Sequence, residues 1–365
     1  MMPAKHMDEY RDRDISRAIL QKIETLSRKE IRLMEVCGTH TMSIFKNGIR
    51  TMLPGTITLL SGPGCPVCVT TQQEIDMFID LSGRPDVIIA TFGDLIRVPG
   101  SESSLQKEKA GGSDIRIVYS TMDALRIAQK NPDMSVIFLG IGFETTAPTV
   151  AASLLSAKQM GIDNYFVFSA HKLVPPALTA LVENKEVRVD GFILPGHVSV
   201  IIGERAYRPI VSNFHIPCVI AGFEPTDILQ AIFQLLMQIG SGIAKVENAY
   251  PRAVTVNGNE TAQRILSQVF RVTDASWRGI GLIPDSGMKI RKEFSAFDAE
   301  KRFQPKASES KEPQGCACGQ ILIGLMTPPD CPLYGKTCTP VSPIGPCMVS
   351  TEGTCAAYYR YYRNG

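Results

Sequence analysis

Apolar residues along the chain come mostly in short runs, separated by stretches in which they recur at helical spacing. Asp14 stands where a helix cap belongs, and Ile15, Ala18, Ile19, Ile23 and Leu26 follow on one face. This predicts an N-terminal amphipathic helix within residues 1–30. Ile31 to Val36, Ile57 to Leu60, Val87 to Thr91 and Ile115 to Tyr119 read as strands, with helices over Gln73 to Leu81 and Met122 to Gln129. The alternation continues with strands at Val136 to Leu139, Tyr165 to Phe168, Gly191 to Leu194 and Val219 to Ala221. The helices between and after them cover Ala147 to Met160, Pro176 to Glu183 and Asp227 to Ile239. Short apolar strands alternating with helices predict α/β architecture with parallel sheets. The strands are too many for one small sheet, so two α/β domains are expected, residues 31–125 and 126–256, divided near Ser120 to Pro132. The tract Gly-Phe-Glu-x-Thr occurs at Gly142 and again at Gly222, a short echo that hints at related halves.

After Asn257 the pattern changes. Glu260 to Val272 predicts one more helix, Trp277 to Pro284 is Gly-rich and irregular, and Ala299 to Gln314 reads as an exposed polar linker. From Gly315 to Tyr359 the periodicity fades and Pro and Gly crowd in. Six of the ten cysteines sit here, Cys316, Cys318, Cys331, Cys338, Cys347 and Cys355, spaced C-x-C-x12-C-x6-C-x8-C-x7-C. Such a segment buries little apolar surface alone and needs cross-links to hold a shape. Residues 257–365 are therefore expected to form a small helical and irregular Cys-rich domain. A disulfide framework would require an oxidising compartment. Structural zinc favours two short Cys pairs, which the spacing lacks. An iron–sulfur cluster takes four thiolates at irregular spacing and leaves two over, which suits an exchangeable disulfide.

Composition narrows the setting. A formal net charge of +2 gives no case for nucleic acid or an anionic membrane. The start, Met1 to Asp14, is charged without an apolar core, so no secretory leader is expected. No apolar run approaches the ~18–20 residues of a membrane span. A cytoplasmic protein follows, and ten cysteines in a reducing compartment favour metal or redox chemistry.

Ligands of open α/β sheets bind at the carboxyl ends of strands, and the chemically capable residues fall there. Cys37 and His40 follow one strand, Cys65 and Cys68 the next, and Glu144, His171, His197 and Glu224 follow others. A helix starting at Gly38 would favour the Cys37 thiolate, and thiolate with imidazole is a soft-metal pair. The alternative is a buried structural Cys and a satisfied His, at even weight. Cys65-Pro-Val-Cys68 allows a vicinal disulfide or bidentate metal binding. Glu144 and Glu224 could be general bases, though capping a helix N-terminus is the commoner use of such carboxylates. His171 and His197 are as suited to hydrogen bonding as to chemistry, and His6 and His215 carry no signal. Gly62-Pro-Gly64 and Gly140-Ile-Gly142 do not complete a dinucleotide fingerprint, and no P-loop is present.

Cys37-Gly-Thr-His40, Gly62-Pro-Gly-Cys-Pro-Val-Cys68, Gly142-Phe-Glu-Thr-Thr-Ala-Pro-Thr149, Pro195-Gly-His-Val-Ser199 and the six-cysteine tail together resemble the HypD family of [NiFe]-hydrogenase maturation proteins. The resemblance runs from Asp8 to Tyr359, without departure at any motif cysteine or histidine. It implies a scaffold that pairs with the small chaperone HypC, where an iron receives two cyanides and one carbon monoxide, cyanide coming from the HypE–HypF pair. By the same resemblance Cys37 is a ligand to that iron, His40 a ligand or close neighbour, and Cys65 and Cys68 the redox-active pair beside it. It implies a [4Fe-4S] cluster on Cys316, Cys331, Cys338 and Cys355, with Cys318 and Cys347 as the neighbouring disulfide, although another four of the six would fit the spacing equally well. Glu144 lies in one of the motifs and is carried as a candidate. Assembly scaffold with intrinsic redox chemistry is thus the leading expectation, and a motif for ATP hydrolysis is missing. The competing readings are a free-standing iron–sulfur-dependent disulfide reductase and a zinc-stabilised interaction module.

Overall fold

The computed structural model describes residues 12–306 and 310–362, so the start of the family resemblance at Asp8 to Arg11 and His6 lie outside the described residues. The first helix, Arg13–Leu26, is capped by Asp12 rather than Asp14: Oδ1 of Asp12 accepts from the N–H groups of Asp14 and Ile15 at 2.8 and 3.0 Å. Asp14 instead lies in the first turn, where its charge still suits the helix dipole. Ile19 and Ile23 face the core as their spacing requires.

The sheets are parallel, as the alternation predicts. One contains β1 (Ile31–Glu35), β2 (Ile57–Ser61), β7 (Gly191–Pro195), β8 (Cys218–Ala221) and β9 (Val246–Asn248), in the order β2-β1-β7-β8-β9. The other contains β3 (Val87–Thr91), β4 (Ile115–Ile117), β5 (Ser135–Gly140) and β6 (Tyr165–Ser169), in the order β4-β3-β5-β6. Register in the first runs Leu33 beside Leu59 and Gly191, and in the second Ile89 beside Ile115 and Ile137. Strand pairing does not follow the split expected near residues 120–132, because each sheet draws strands from both sides of it. The second sheet is inserted between the second and third strands of the first. Local patterning reveals strands but not their partners, and this insertion leaves no local mark.

The first four strands of the five-stranded sheet take the order of the four-stranded one: second, first, third, fourth. That order reverses direction between β1 and β7 and between β3 and β5, and crevices for ligands open at such points. The two halves are thus alike in topology. The Gly-Phe-Glu echo does not mark equivalent positions, since Gly142 follows the third strand of one sheet and Gly222 the fourth of the other.

Downstream, the expected helix Glu260 to Val272 ends at Val269, and an antiparallel hairpin follows, β10 (Phe270–Trp277) and β11 (Gly281–Ile290), spanning the Trp277 to Pro284 stretch expected to be irregular. Much of β10 is exposed, so it lacks a clean buried alternation, and Pro284 and the positive φ of Asp285 interrupt β11. The polar stretch after it includes a short helix, Ala299–Phe303. The cysteine-rich tail packs Cys318, Ile321, Leu322, Met348 and Val349 into a core that also contains Met34, Leu60, Val67 and Phe168. Tail and both sheets therefore share one apolar interior. Among the described residues no helix is long and apolar enough to cross a membrane.

Candidate functional site

Strand β1 is buried and runs directly into the helix Gly38–Lys46. Cys37 is the N-cap residue, extended at φ −161°, and its side chain makes no full capping bond, although the His40 N–H and the Thr39 side chain both favour its thiolate. The loop Gly62–Gly64 lies against this corner. Gly38 donates its N–H to the Gly64 carbonyl at 3.2 Å, and a Cβ on Gly64 would lie 2.2 Å from the Cys37 nitrogen. Glycine is needed at position 64 for that close approach.

The imidazole nearest the Cys37 sulfur belongs to His197, not His40. His197 Nε2 lies 3.6 Å from Cys37 Sγ, across the point where the strand order reverses between β1 and β7. His40 is fully buried, and its Nε2 donates to the Gly222 carbonyl at 2.9 Å, which leaves Nδ1 as a bare acceptor without a partner. Both rings pack on Phe223, at 4.8 and 4.9 Å between centroids. Burial holds both imidazoles neutral, each lowered to about 4. Sequence reasoning weighed His197 only as an undecided histidine; its place in Pro-Gly-His-Val-Ser, directly after a strand, was the available signal.

Burial pushes the Cys37 thiol up to about 12, and the charge of Glu352 adds to this. The helix N-terminus does begin at Gly38, and the His40 N–H pulls the other way, but desolvation wins. The thiolate expected from the sequence is therefore not the resting form of the protein alone. Beneath Cys37, buried Glu35 accepts from the Cys37 N–H at 3.2 Å and the Thr41 hydroxyl at 2.6 Å, with burial raising its carboxyl to about 8. Outside the crevice, the helices Arg13–Leu26 and Gly38–Lys46 and the start of Pro225–Ser241 frame a groove of about 830 Å³. Arg13, Arg17, Lys46, Thr39 and Phe223 are among its lining residues.

Cys65 and Cys68 form a disulfide, both sulfurs buried, with Cys65 capping the short helix Pro66–Val69. That helix packs against the tail helices Cys318–Leu322 and Pro346–Val349. All six tail cysteines line one cavity, five of them buried and Cys316 half-buried. Cys318 and Cys347 are free thiols with sulfurs 2.7 Å apart. Among the described residues no three His, Cys, Asp or Glu groups converge as they would around a single ion. Six thiols line one cavity, soft donors of the kind that a thiolate-held cluster takes. The tail also meets the strand ends directly. Glu352 accepts from the Thr39 hydroxyl at 2.6 Å, and Asp94 accepts from the Thr351 N–H and hydroxyl, each at 2.8 Å.

At the second sheet, Glu144 is buried and accepts from the Val174 N–H at 3.0 Å, at the start of the helix Val174–Glu183. Burial raises its carboxyl to about 7. This is the helix-terminus use of a carboxylate. Glu224 is the N-cap residue of Pro225–Ser241. His171 contacts the Ser169 hydroxyl at 3.0 Å, and Lys172 pairs with Glu74 at 2.7 Å.

Comparison with known proteins shows the family. A family model described as HypD, "Hydrogenase formation hypA family", matches residues 14–362. The hydrogenase maturation factor HypD of Azotobacter vinelandii is 45% identical over 368 residues, spanning 98% of this chain and 97% of the relative. Those of Rhizobium leguminosarum bv. viciae and Escherichia coli K12 are 45% and 44% identical, again over 98% of this chain and 96% and 98% of theirs. The chain belongs to the HypD family. Its family motifs are brought together by the fold: Cys37 with His197 at one reversal point, the Cys65–Cys68 loop against the Cys37 corner, and the tail against both. The motif around Glu144 sits on the other sheet.

Proposed function

We propose that this hydrogenase maturation factor is a scaffold on which an iron is held while it receives cyanide and carbonyl ligands. The observation that carries the reading is Cys37: a buried sulfur at a strand-order reversal, 3.6 Å from His197, with the bare Nδ1 of His40 in the same corner. Thiolate and imidazole suit an electron-rich iron. Iron binding would displace the Cys37 proton that burial otherwise retains. The chain supplies few donors here, so the iron's remaining positions fall to the diatomic ligands and to a HypC-type chaperone seated over the groove beside Thr39 and Phe223. Cyanide would be delivered by a HypE–HypF pair.

In the tail, Cys316, Cys331, Cys338 and Cys355 would hold a [4Fe-4S] cluster in a small Cys-rich unit, and that group would supply single electrons. Cys318 and Cys347, with sulfurs 2.7 Å apart, would act as the dithiol beside it. The Cys65–Cys68 disulfide, packed between this tail and the Cys37 corner, would receive two electrons from that dithiol. Burial of both Cys65 and Cys68 favours an exchange partner within the chain over a protein substrate, and so the scaffold over a free-standing reductase.

The test is iron and acid-labile sulfide on anaerobically purified protein, with infrared spectra of its complex with the chaperone and cyanide donors. About four iron and four sulfide per chain are expected from the tail. Additional iron with cyanide and carbonyl bands should vanish in Cys37→Ala. A cluster without those bands would favour the reductase, and zinc without sulfide would overturn both.

A further inference from the structure

The hairpin between β10 and β11 does more than cover the sheet. Its tip, Trp277 to Gly279, enters the space between the two thiol-bearing segments. Arg278 is a buried cation whose bonds converge on the end of the Cys65–Cys68 helix. Its N–H donates to the Val69 carbonyl and its Nε to the Thr70 carbonyl, both at 2.9 Å. Nη1 and Nη2 reach Gln72 Oε1 at 3.3 and 3.2 Å, and Nη1 also meets Glu312. Val69 and Thr70 directly follow Cys68, so the arginine satisfies the last carbonyls of that short helix.

The next residue touches the tail. Gly279 has φ +79°, and a Cβ there would lie 2.3 Å from the Cα of Gly319, the residue after Cys318. The tip is itself fixed: Trp277 donates Nε1–H to Ser286 Oγ at 2.9 Å and stacks on Phe143. One rigid turn thus grips the residues following Cys68 on one side and those following Cys318 on the other.

We propose that Arg278 is a positioning residue for thiol–disulfide exchange between Cys318/Cys347 and Cys65–Cys68, acting by holding the two short helices in register. The inference rests on the internal relay described above. In the exchange, one tail thiolate attacks a sulfur of the Cys65–Cys68 bond. That bond breaks, a mixed disulfide forms, and the released thiolate takes a proton. The second tail thiolate then attacks the tail sulfur of the mixed disulfide and releases the other cysteine. Two electrons and two protons pass to Cys65 and Cys68, and a Cys318–Cys347 disulfide remains, so no outside reagent is consumed. Exchange demands alignment of three sulfurs, and small misplacement is costly.

The experiment uses the anaerobically purified full chain, reduced and then given one equivalent of diamide. Acid quenching, alkylation and mass mapping follow the disulfide as it moves between the two pairs. In Arg278→Met the movement should slow by more than about tenfold, while the first disulfide forms at the parental rate. Arg278→Lys, which keeps one charged donor but loses the fork, should be intermediate, and it serves if the methionine variant fails to fold. Unchanged movement in these variants overturns the role of Arg278 and leaves the relay standing. Equal slowing of both steps would mark the arginine as merely structural and also overturns it. A parent chain in which the disulfide never moves overturns the relay, and Arg278 with it.

Discussion

The carboxyl ends of the two sheets make an instructive pair. Both sheets share the order of their first four strands, and both place His, Cys or acidic residues after their strands. At the second sheet those groups are used in part by structural bonds, while Glu144 Oε2 and His171 Nε2 are left without partners. Asp94 holds Thr351, Glu144 receives the Val174 N–H, His171 meets Ser169, and Lys172 is paired with Glu74. At the first sheet His40 Nδ1 is likewise without a partner, and there a sulfur shares the crevice: Cys37, 3.6 Å from His197 Nε2. Topology delivers residues and spare donor atoms to both crevices, and the sulfur sets the first apart.

The strongest way to break this comparison is to remove one histidine from each end. His197→Ala should lower retained iron by more than about tenfold, while His171→Ala should leave it unchanged within about twofold. Iron analysis and the cyanide and carbonyl bands of the chaperone complex are the readouts. Equal losses would mean that the two ends are not chemically distinct.

A smaller effect concerns stability. Lys172 is almost wholly buried and Glu74 largely so. Lys172→Met should cost about 3 kcal/mol by stranding the carboxylate, measured from urea midpoints. Iron retention should not follow it. A cost under about 1 kcal/mol would mean that the pair is solvated and that this end is held by other bonds.

Much of this contrast could be read from the sequence, and the rest had physical reasons for staying hidden. The strands from Ile31 to Ala221 and the longer helices between them follow from apolar runs and helical spacing, while the short helices Leu105–Ala110, Gly196–Ile202 and Arg208–Phe214 were not read. The predicted helix Ala147 to Met160 coincides with the observed one. The residues after the strands were visible as chemically capable for the same reason. Which strands pair was not visible, because a parallel sheet with an insertion is specified by contacts far apart in the chain. That His197 lies beside the Cys37 sulfur was hidden likewise. Cys37 and His40 are neighbours in sequence, but one helical turn aims His40 at Gly222, whereas His197 arrives from a strand more than a hundred residues away. The direction of the Cys37 shift depended on burial, which the helix-start argument leaves out. The hairpin escaped because β10 is largely solvated and β11 buries mainly its second half, and with it went any sign that Arg278 lies between two cysteine pairs.

The gentlest probe of the contrast is pH. His171 is buried neutral, lowered to about 3, and its ordinary value when unfolded is near 6.5. A depressed value means that the unfolded chain binds the proton more readily. The stabilisation is therefore complete above pH 6.5 and is lost as pH falls toward 3. Glu144, on the same edge, has the opposite sign: its carboxyl is raised to about 7, so its contribution fades as pH rises from the ordinary carboxylate range through 7. Replacing His171 by Asn keeps an N–H for Ser169 and removes the titration. Urea midpoints between pH 7.5 and 4 should fall further in the parent than in His171→Asn, by about 3 kcal/mol at pH 4. Parallel pH profiles would show that the ring is reached by water. The second sheet's end would then be hydrated where the first, around Cys37 and His40, is buried, and water as well as sulfur would separate them.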